Sequence, residues 1–214
     1  MKIFNIDPMN FVKRRKDLRS FAKFFFSFLS VIISNYRAQL IESVFKKISF
    51  SEITLKESIF LGKLVQELET IGPIIEIGTL FGRSTLVIAA NKALERKLIT
   101  VDNYSWNPIG LDADTHYRIT KNLLSEAEKT ANLKIHRIDK NDFYLQYRGE
   151  TPALVFFDAV HNYSETKTDI MWAKRINSHL ICGHDYDEKK HPAVVGAVKE
   201  FGGPRKLLGS IWVL

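Results

Sequence analysis

Two patterns of apolar and polar positions divide the chain near residue 50. In the first part, Ser20, Lys23, Ser27, Ser30, Ser34 and Arg37 recur every three or four residues, a narrow polar stripe along one face of a helix. Leu18, Phe21, Phe25, Phe28, Leu29, Ile32 and Ile33 cover much of the rest, so this helix must bury most of its circumference. In the second part, short apolar runs alternate with helix-like stretches. Ser51, with Glu52 and Thr54 after it, opens a helix to about Thr70, which Ile71-Gly72-Pro73 breaks. Strands follow at 74–78 (IIEIG), 98–102 (LITVD), 134–138 (KIHRI), 153–158 (ALVFFD) and 179–184 (HLICGH). Helices are expected at 84–95, 115–129, 164–176 and 193–201, and the chain ends in KLLGSIWVL, two short runs around Gly209-Ser210.

Strand–helix alternation with nearly continuous apolar strands implies an α/β fold, a doubly wound and mostly parallel sheet covered by helices on both faces. The expected division is a basic, apolar helical segment over 1–50 and one α/β domain over 51–214. Ligands in such folds bind at the carboxyl ends of the strands, so the residues just after each strand carry the functional information.

Charge changes the picture of the first segment. Residues 1–47 hold ten Lys/Arg against three Asp/Glu, whereas the remainder holds twenty-one of each, so the whole net charge of +7 belongs to the appendage. A neutral main domain argues against nucleic acid as a partner and points to a local anionic one. Packing on the main domain, or on a second copy of the chain in a homo-oligomer, is the plainer burial for residues 13–47. A peripheral position on the inner face of a membrane, with the basic flanks in the headgroup layer, is the alternative. A secretory signal fits poorly, because Lys23 interrupts the apolar run and no clear cleavage site follows. No run reaches the roughly 18–20 apolar residues of a spanning helix. The single cysteine, Cys182, excludes an intrachain disulfide and suits a reducing, cytoplasmic compartment.

The first strand end reads Glu76-Ile-Gly78-Thr79-Leu-Phe-Gly82-Arg-Ser84-Thr85. Its glycines allow a tight turn and close backbone approach to a ligand, and Ser84 and Thr85 are placed to cap the next helix. Leu80 excludes G-x-G-x-x-G, and no Gly-Lys-Ser/Thr follows, so neither a dinucleotide fingerprint nor a Walker loop is present. Asp102 ends the second strand, twenty positions beyond Gly82, where an acidic residue accepts hydrogen bonds from a ribose. The fourth strand leads into Asp158 and His161, with Asp169 further along, and the fifth into His184 and Asp185. If those strands are neighbours, two carboxylates and two imidazoles converge, a set suited to a divalent ion and to proton transfer near neutral pH.

In this order and spacing, IEIGTLFGRST, FFDAVHNYSETKTD and ICGHDY resemble the class I S-adenosylmethionine-dependent methyltransferases over about residues 55–214. The closing GSIWVL is similar to the terminal hairpin of that family, whose last strand is antiparallel. The resemblance implies S-adenosylmethionine as cofactor. Glu76, Gly78, Thr79, Gly82 and Ser84 would shape the methionine pocket, Asp102 would hold the ribose, and Asp139 would lie near the adenine. It extends to metal-dependent O-methyltransferases, where Asp158 would bind magnesium and His161 would take the proton from the substrate hydroxyl. Those enzymes have acidic or amide side chains as the second ligand pair; here the pair is His184-Asp185, which leaves open a different ion or a hydrogen-bonding role for His184. The function implied is methyl transfer to a hydroxyl of a sugar or glycosylated small molecule. The rivals are a nicotinamide-dependent oxidoreductase, against which the absent fingerprint counts, and a membrane-docked binding protein that has lost catalysis. The loop 103–114, with Tyr104, Trp106 and Pro108, either covers the site or is plain surface.

Overall fold

The computed structural model describes residues 53–214. The N-terminal segment, with its expected helix, its burial and the Ser51 cap, lies outside the described residues. Helix α1 (Leu55–Gln66) is opened by Thr54, whose side chain and that of Glu57 cap each other's backbone in a reciprocal box. The remaining elements are β1 (Ile74–Ile77), α2 (Arg83–Asn91), β2 (Leu98–Asp102), α3 (Ala113–Thr130), β3 (Leu133–Arg137), α4 (Lys140–Gln146), β4 (Leu154–Phe157), α5 (Tyr163–Arg175), β5 (Ile181–Gly183), α6 (Pro192–Glu200), β6 (Lys206–Leu208) and β7 (Ile211–Val213).

The strands form one sheet in the order β3-β2-β1-β4-β5-β7-β6. Strands β1 to β5 pair in parallel, whereas β7 runs antiparallel to both β5 and β6. The doubly wound sheet and its antiparallel end are therefore as the sequence implies. Alternation along the strands feeds two cores. Ile74, Leu98, Leu154, Phe156 and Cys182 pack with residues of α1, α2 and α3. Ile75, Ile77, Ile99, Val101, Val155, Phe157 and Ile181 pack with residues of α4, α5 and α6. Such a sheet has no polar face, which is why its strands read as unbroken apolar runs.

Strand order reverses at β1, which lies between β2 and β4 and so opens the crevice in which doubly wound sheets bind ligands. The short α4 has no counterpart in the sequence reading; Asp139 caps it, accepting from the Asn141 N–H at 2.8 Å. Among the described residues no helix is long and apolar enough to cross a membrane.

Candidate active site

At the end of β1 the backbone turns through Gly78 at φ +97°, where an added Cβ would lie 1.9 Å from the Asp158 carbonyl oxygen. Only a residue without a side chain lets the β1 and β4 ends approach this closely. Gly82, at φ +86°, occupies the N-cap of α2, which has no side-chain cap. Ser84 and Thr85 therefore do not cap the helix. They lie buried in its first turn, and the Thr85 hydroxyl donates to Oε2 of Glu76 at 2.5 Å.

Glu76 is fully buried, and its Oε2 also accepts from Thr100 Oγ1 at 2.8 Å. Its Oε1 has no hydrogen-bond partner. Burial drives this carboxyl up to about 7, against the lowering effect of the Ser84, Thr85 and Thr100 hydroxyls and with a small push from Asp158. A carboxyl raised in the folded state favours folding below its unfolded value of 4.5, and that contribution is lost as pH rises through about 7. The gap corresponds to about 3 kcal/mol. Glu76→Gln is thus expected to stabilise the cofactor-free protein at pH 8 by up to about 3 kcal/mol and to do little at pH 4. Urea unfolding at the two pH values measures it; an equal effect at both would contradict the assignment.

Asp102 braces the same loop. Its Oδ2 accepts from the Thr79 and Leu80 N–H groups at 2.8 and 2.9 Å, and its Oδ1 from the Tyr104 N–H at 2.7 Å. One oxygen thus retains acceptor capacity beyond a single bond, which suits the expected ribose contact. Thr79 is buried, its hydroxyl 2.6 Å from that of Thr100. Asp139, besides capping α4, accepts from Asn103 Nδ2 at 3.3 Å, which ties the β3 end to the loop after β2. In that loop Tyr104 points inward and is fully buried, whereas Trp106 is exposed. His116 of α3, also fully buried, places Nε2 3.0 Å from the Leu80 carbonyl and Nδ1 3.3 Å from the Tyr104 carbonyl, bridging the two loops.

The ends of β4 and β5 bring Asp158, His161, His184 and Asp185 together, with His191 beside them. His161 Nε2 lies 2.8 Å from Asp185 Oδ2 and 4.0 Å from Asp158 Oδ1. His184 Nδ1 lies 3.3 Å from Asp185 Oδ1 and 3.7 Å from Asp158 Oδ1. His191 Nε2 is 3.3 Å from Asp185 Oδ1. These are charge contacts by distance rather than hydrogen bonds by angle. Asp158 Oδ1, His161 Nε2, His184 Nδ1 and Asp185 Oδ2 are all buried without a hydrogen-bond partner. The carboxylates of Asp158 and Asp185 raise His161 to about 10. Burial works against a charged His184, but Asp185 and Asp158 outweigh it and raise the ring to about 9. Burial likewise opposes ionisation of Asp185, yet the two imidazoles hold it far below the usual carboxylate range. Two groupings of three ligand atoms, each within 4.8 Å of one another, meet on Asp185: Asp158 with His184, and His161 with His191. Buried and unpartnered, these carboxylate oxygens and imidazole nitrogens fit a divalent cation, which would take the place of the imidazole protons.

Asp169 does not join this cluster. It is buried on α5 and paired with Lys140, which also meets Glu165 at 2.8 Å, and it accepts from Tyr144 at 2.8 Å. Its place in the sequence motif is structural. Sequence reasoning missed His116, His191, Glu57 and Ser210. Only Glu57 carried a local signal, as the fourth residue of the Thr54-Leu-Lys-Glu57 capping box.

A family model described as a methyltransferase domain matches residues 75–186, which spans the β1 loop and both halves of the ligand cluster. No curated protein sequence matches the chain. The fold is similar to a Bacillus cereus O-methyltransferase solved with S-adenosylhomocysteine, at 18% identity and TM-score 0.58, covering 78% of this chain and 77% of that one. It is similar to an O-methyltransferase of tomaymycin synthesis from Streptomyces achromogenes, solved with S-adenosylmethionine, at 19% identity and TM-score 0.57, covering 78% and 75%. A TDP-rhamnose 3'-O-methyltransferase of calicheamicin biosynthesis shares 17% identity at TM-score 0.55 over 84% of this chain and 93% of that one.

Proposed function

This chain belongs to the methyltransferase-domain family, as a class I S-adenosylmethionine-dependent methyltransferase, and from that premise we propose that it methylates a hydroxyl of a sugar or glycosylated small molecule. In this reading Asp158, His184 and Asp185 hold a divalent ion, and His161 is the general base. The observation that carries it is the group of buried, unpartnered ligand atoms at the β4 and β5 ends, next to the glycine turn.

Each residue has a task in this reading. The orphan Oε1 of Glu76 is an acceptor for the cofactor's ammonium group, and Asp102 is an acceptor for its ribose. The turn through Gly78, which packs against the Asp158 backbone, would hold the cofactor next to the β4 end. Transfer needs the acceptor oxygen aligned behind the methyl carbon, so positioning supplies much of the rate. A bound divalent ion lowers the hydroxyl pKa and supplies the positive charge that the imidazoliums otherwise give the two carboxylates. His161, half-buried at the rim of the cluster, then accepts the hydroxyl proton at Nε2 as the oxygen attacks. The similar TDP-rhamnose enzyme supports a sugar acceptor, and the buried, lone Cys182 supports a reducing, cytoplasmic setting.

Isotope-labelled S-adenosylmethionine, offered with a panel of nucleotide sugars, glycosides and phenols, tests the reaction. The expected product carries the label as a methoxyl group on a sugar. Label on nitrogen or carbon would overturn the hydroxyl assignment, and label only on phenols would overturn the sugar.

A further inference from the structure

Resting on the reading that a divalent ion sits at Asp158, His184 and Asp185, we infer that this site is built for a borderline transition-metal ion rather than magnesium, with Glu57 and Ser210 as the positioning residues that aim a nitrogen ligand into it. Glu57 of α1, buried and 153 residues from Ser210 in sequence, accepts at Oε1 from the Ser210 N–H at 2.7 Å and from the Ser210 hydroxyl at 2.8 Å. Its Oε2 accepts from the Thr54 N–H at 2.8 Å and from the Thr54 hydroxyl at 2.6 Å, so both carboxylate oxygens are held in place.

Because the Ser210 hydroxyl gives its proton to Glu57, it offers only lone pairs to its other neighbour, His184 Nε2 at 2.8 Å. The proton of the neutral ring therefore resides on Nε2, and the lone pair on Nδ1. The backbone that carries the ring is pinned as well. The His184 N–H donates to the Phe157 carbonyl at 2.9 Å, and its carbonyl accepts from Trp212 Nε1 at 2.8 Å. Nδ1, on a residue only 5% exposed, thus points at Asp158 Oδ1 and Asp185 Oδ1 with no hydrogen bond of its own. Nδ1 facing two carboxylate oxygens needs a positive charge between them, either a proton on the ring or a metal ion that takes the proton's place.

The chain carboxylate–hydroxyl–imidazole is the outer-shell arrangement that fixes the tautomer and direction of a metal-binding histidine. Nitrogen donors discriminate among ions. Magnesium is hard, prefers oxygen and keeps its water, whereas imidazole suits cobalt, zinc and similar ions. His161 and His191, both within reach of Asp185, add further imidazoles around the same carboxylate. The turn that carries Ser210 also shows close fitting to Glu57: at Gly209, φ +60°, a Cβ would lie 2.4 Å from Glu57 Oε1.

The test uses the full chain stripped with chelator and titrated separately with cobalt(II) and magnesium, following heat and the visible absorption of bound cobalt. Wild type, Ser210→Ala and Glu57→Gln are compared, each first checked by thermal melting; the serine variant leaves the α1 cap intact if the glutamate variant folds poorly. The expected result is cobalt binding at least ~100-fold tighter than magnesium in wild type, falling roughly 10- to 100-fold in Ser210→Ala while magnesium affinity holds. Unchanged cobalt affinity in Ser210→Ala, or an equal loss for both ions, overturns this inference alone. Failure of the wild type to bind either ion overturns it together with the metal part of the proposed function.

Discussion

Asp185→Asn is expected to lower methyl transfer by roughly 10³-fold while affinity for S-adenosylhomocysteine stays within about twofold of wild type. Asp185 belongs to both groupings of ligand atoms, and three imidazoles, of His161, His184 and His191, contact its two oxygens. Asparagine keeps the shape and tolerates the left-handed backbone that Asp185 adopts at φ 63°, so the fold should survive. What it removes is the negative charge and one anionic ligand. A divalent ion supplies several kcal/mol of transition-state stabilisation, and each 1.4 kcal/mol is about tenfold in rate, which gives the magnitude. Calorimetry with S-adenosylhomocysteine and steady-state kinetics separate the two quantities. Equal losses in both would mean that Asp185 shapes the cofactor site instead.

The second large effect is on stability. Asp169→Ala should destabilise the protein by about 3 kcal/mol, because it removes the buried carboxylate beside Lys140 and leaves that ammonium, itself only 8% exposed, with Glu165 alone. It also strips Tyr144 of its acceptor, although the tyrosine ring still stacks on Trp172 at 4.1 Å between centroids. For a domain of this size the melting temperature should fall by roughly 6–12 °C. The cofactor affinity of the remaining folded protein should be unchanged. A normal melting temperature with lost cofactor binding would move Asp169 from the frame of the protein into its site.

The contrast between Asp169 and Asp185 shows what the sequence could reveal. Strands β1 to β5 were legible because both faces of the sheet are covered, so that Ile74-Ile75 or Phe156-Phe157 needs no polar alternation. Helix α4 was not, because seven residues with Lys140, Asn141 and Asp142 at the start carry too little apolar periodicity. The strand-end residues were legible as a group, since topology places the ends of β4 and β5 side by side. Their connections were not. Asp169 has the same local surroundings in sequence as any motif residue, and only the packing of α4 against α5 makes it a partner for Lys140. The contact of Glu57 with Ser210 joins the first described helix to the last hairpin, and no local pattern encodes a pairing over that distance. His116 is likewise one polar residue on an amphipathic helix until the β1 and β2 loops meet above it.

The most direct test is the turnover of the enzyme with its best hydroxyl acceptor before and after removal of divalent ions. The ligand atoms of Asp158, His184 and Asp185 predict that chelation abolishes methyl transfer, that a divalent ion restores it, and that Asp185→Asn is not restored. Full turnover in chelator, with a site proved free of metal, would contradict it and leave these three residues as a purely electrostatic cradle for the acceptor.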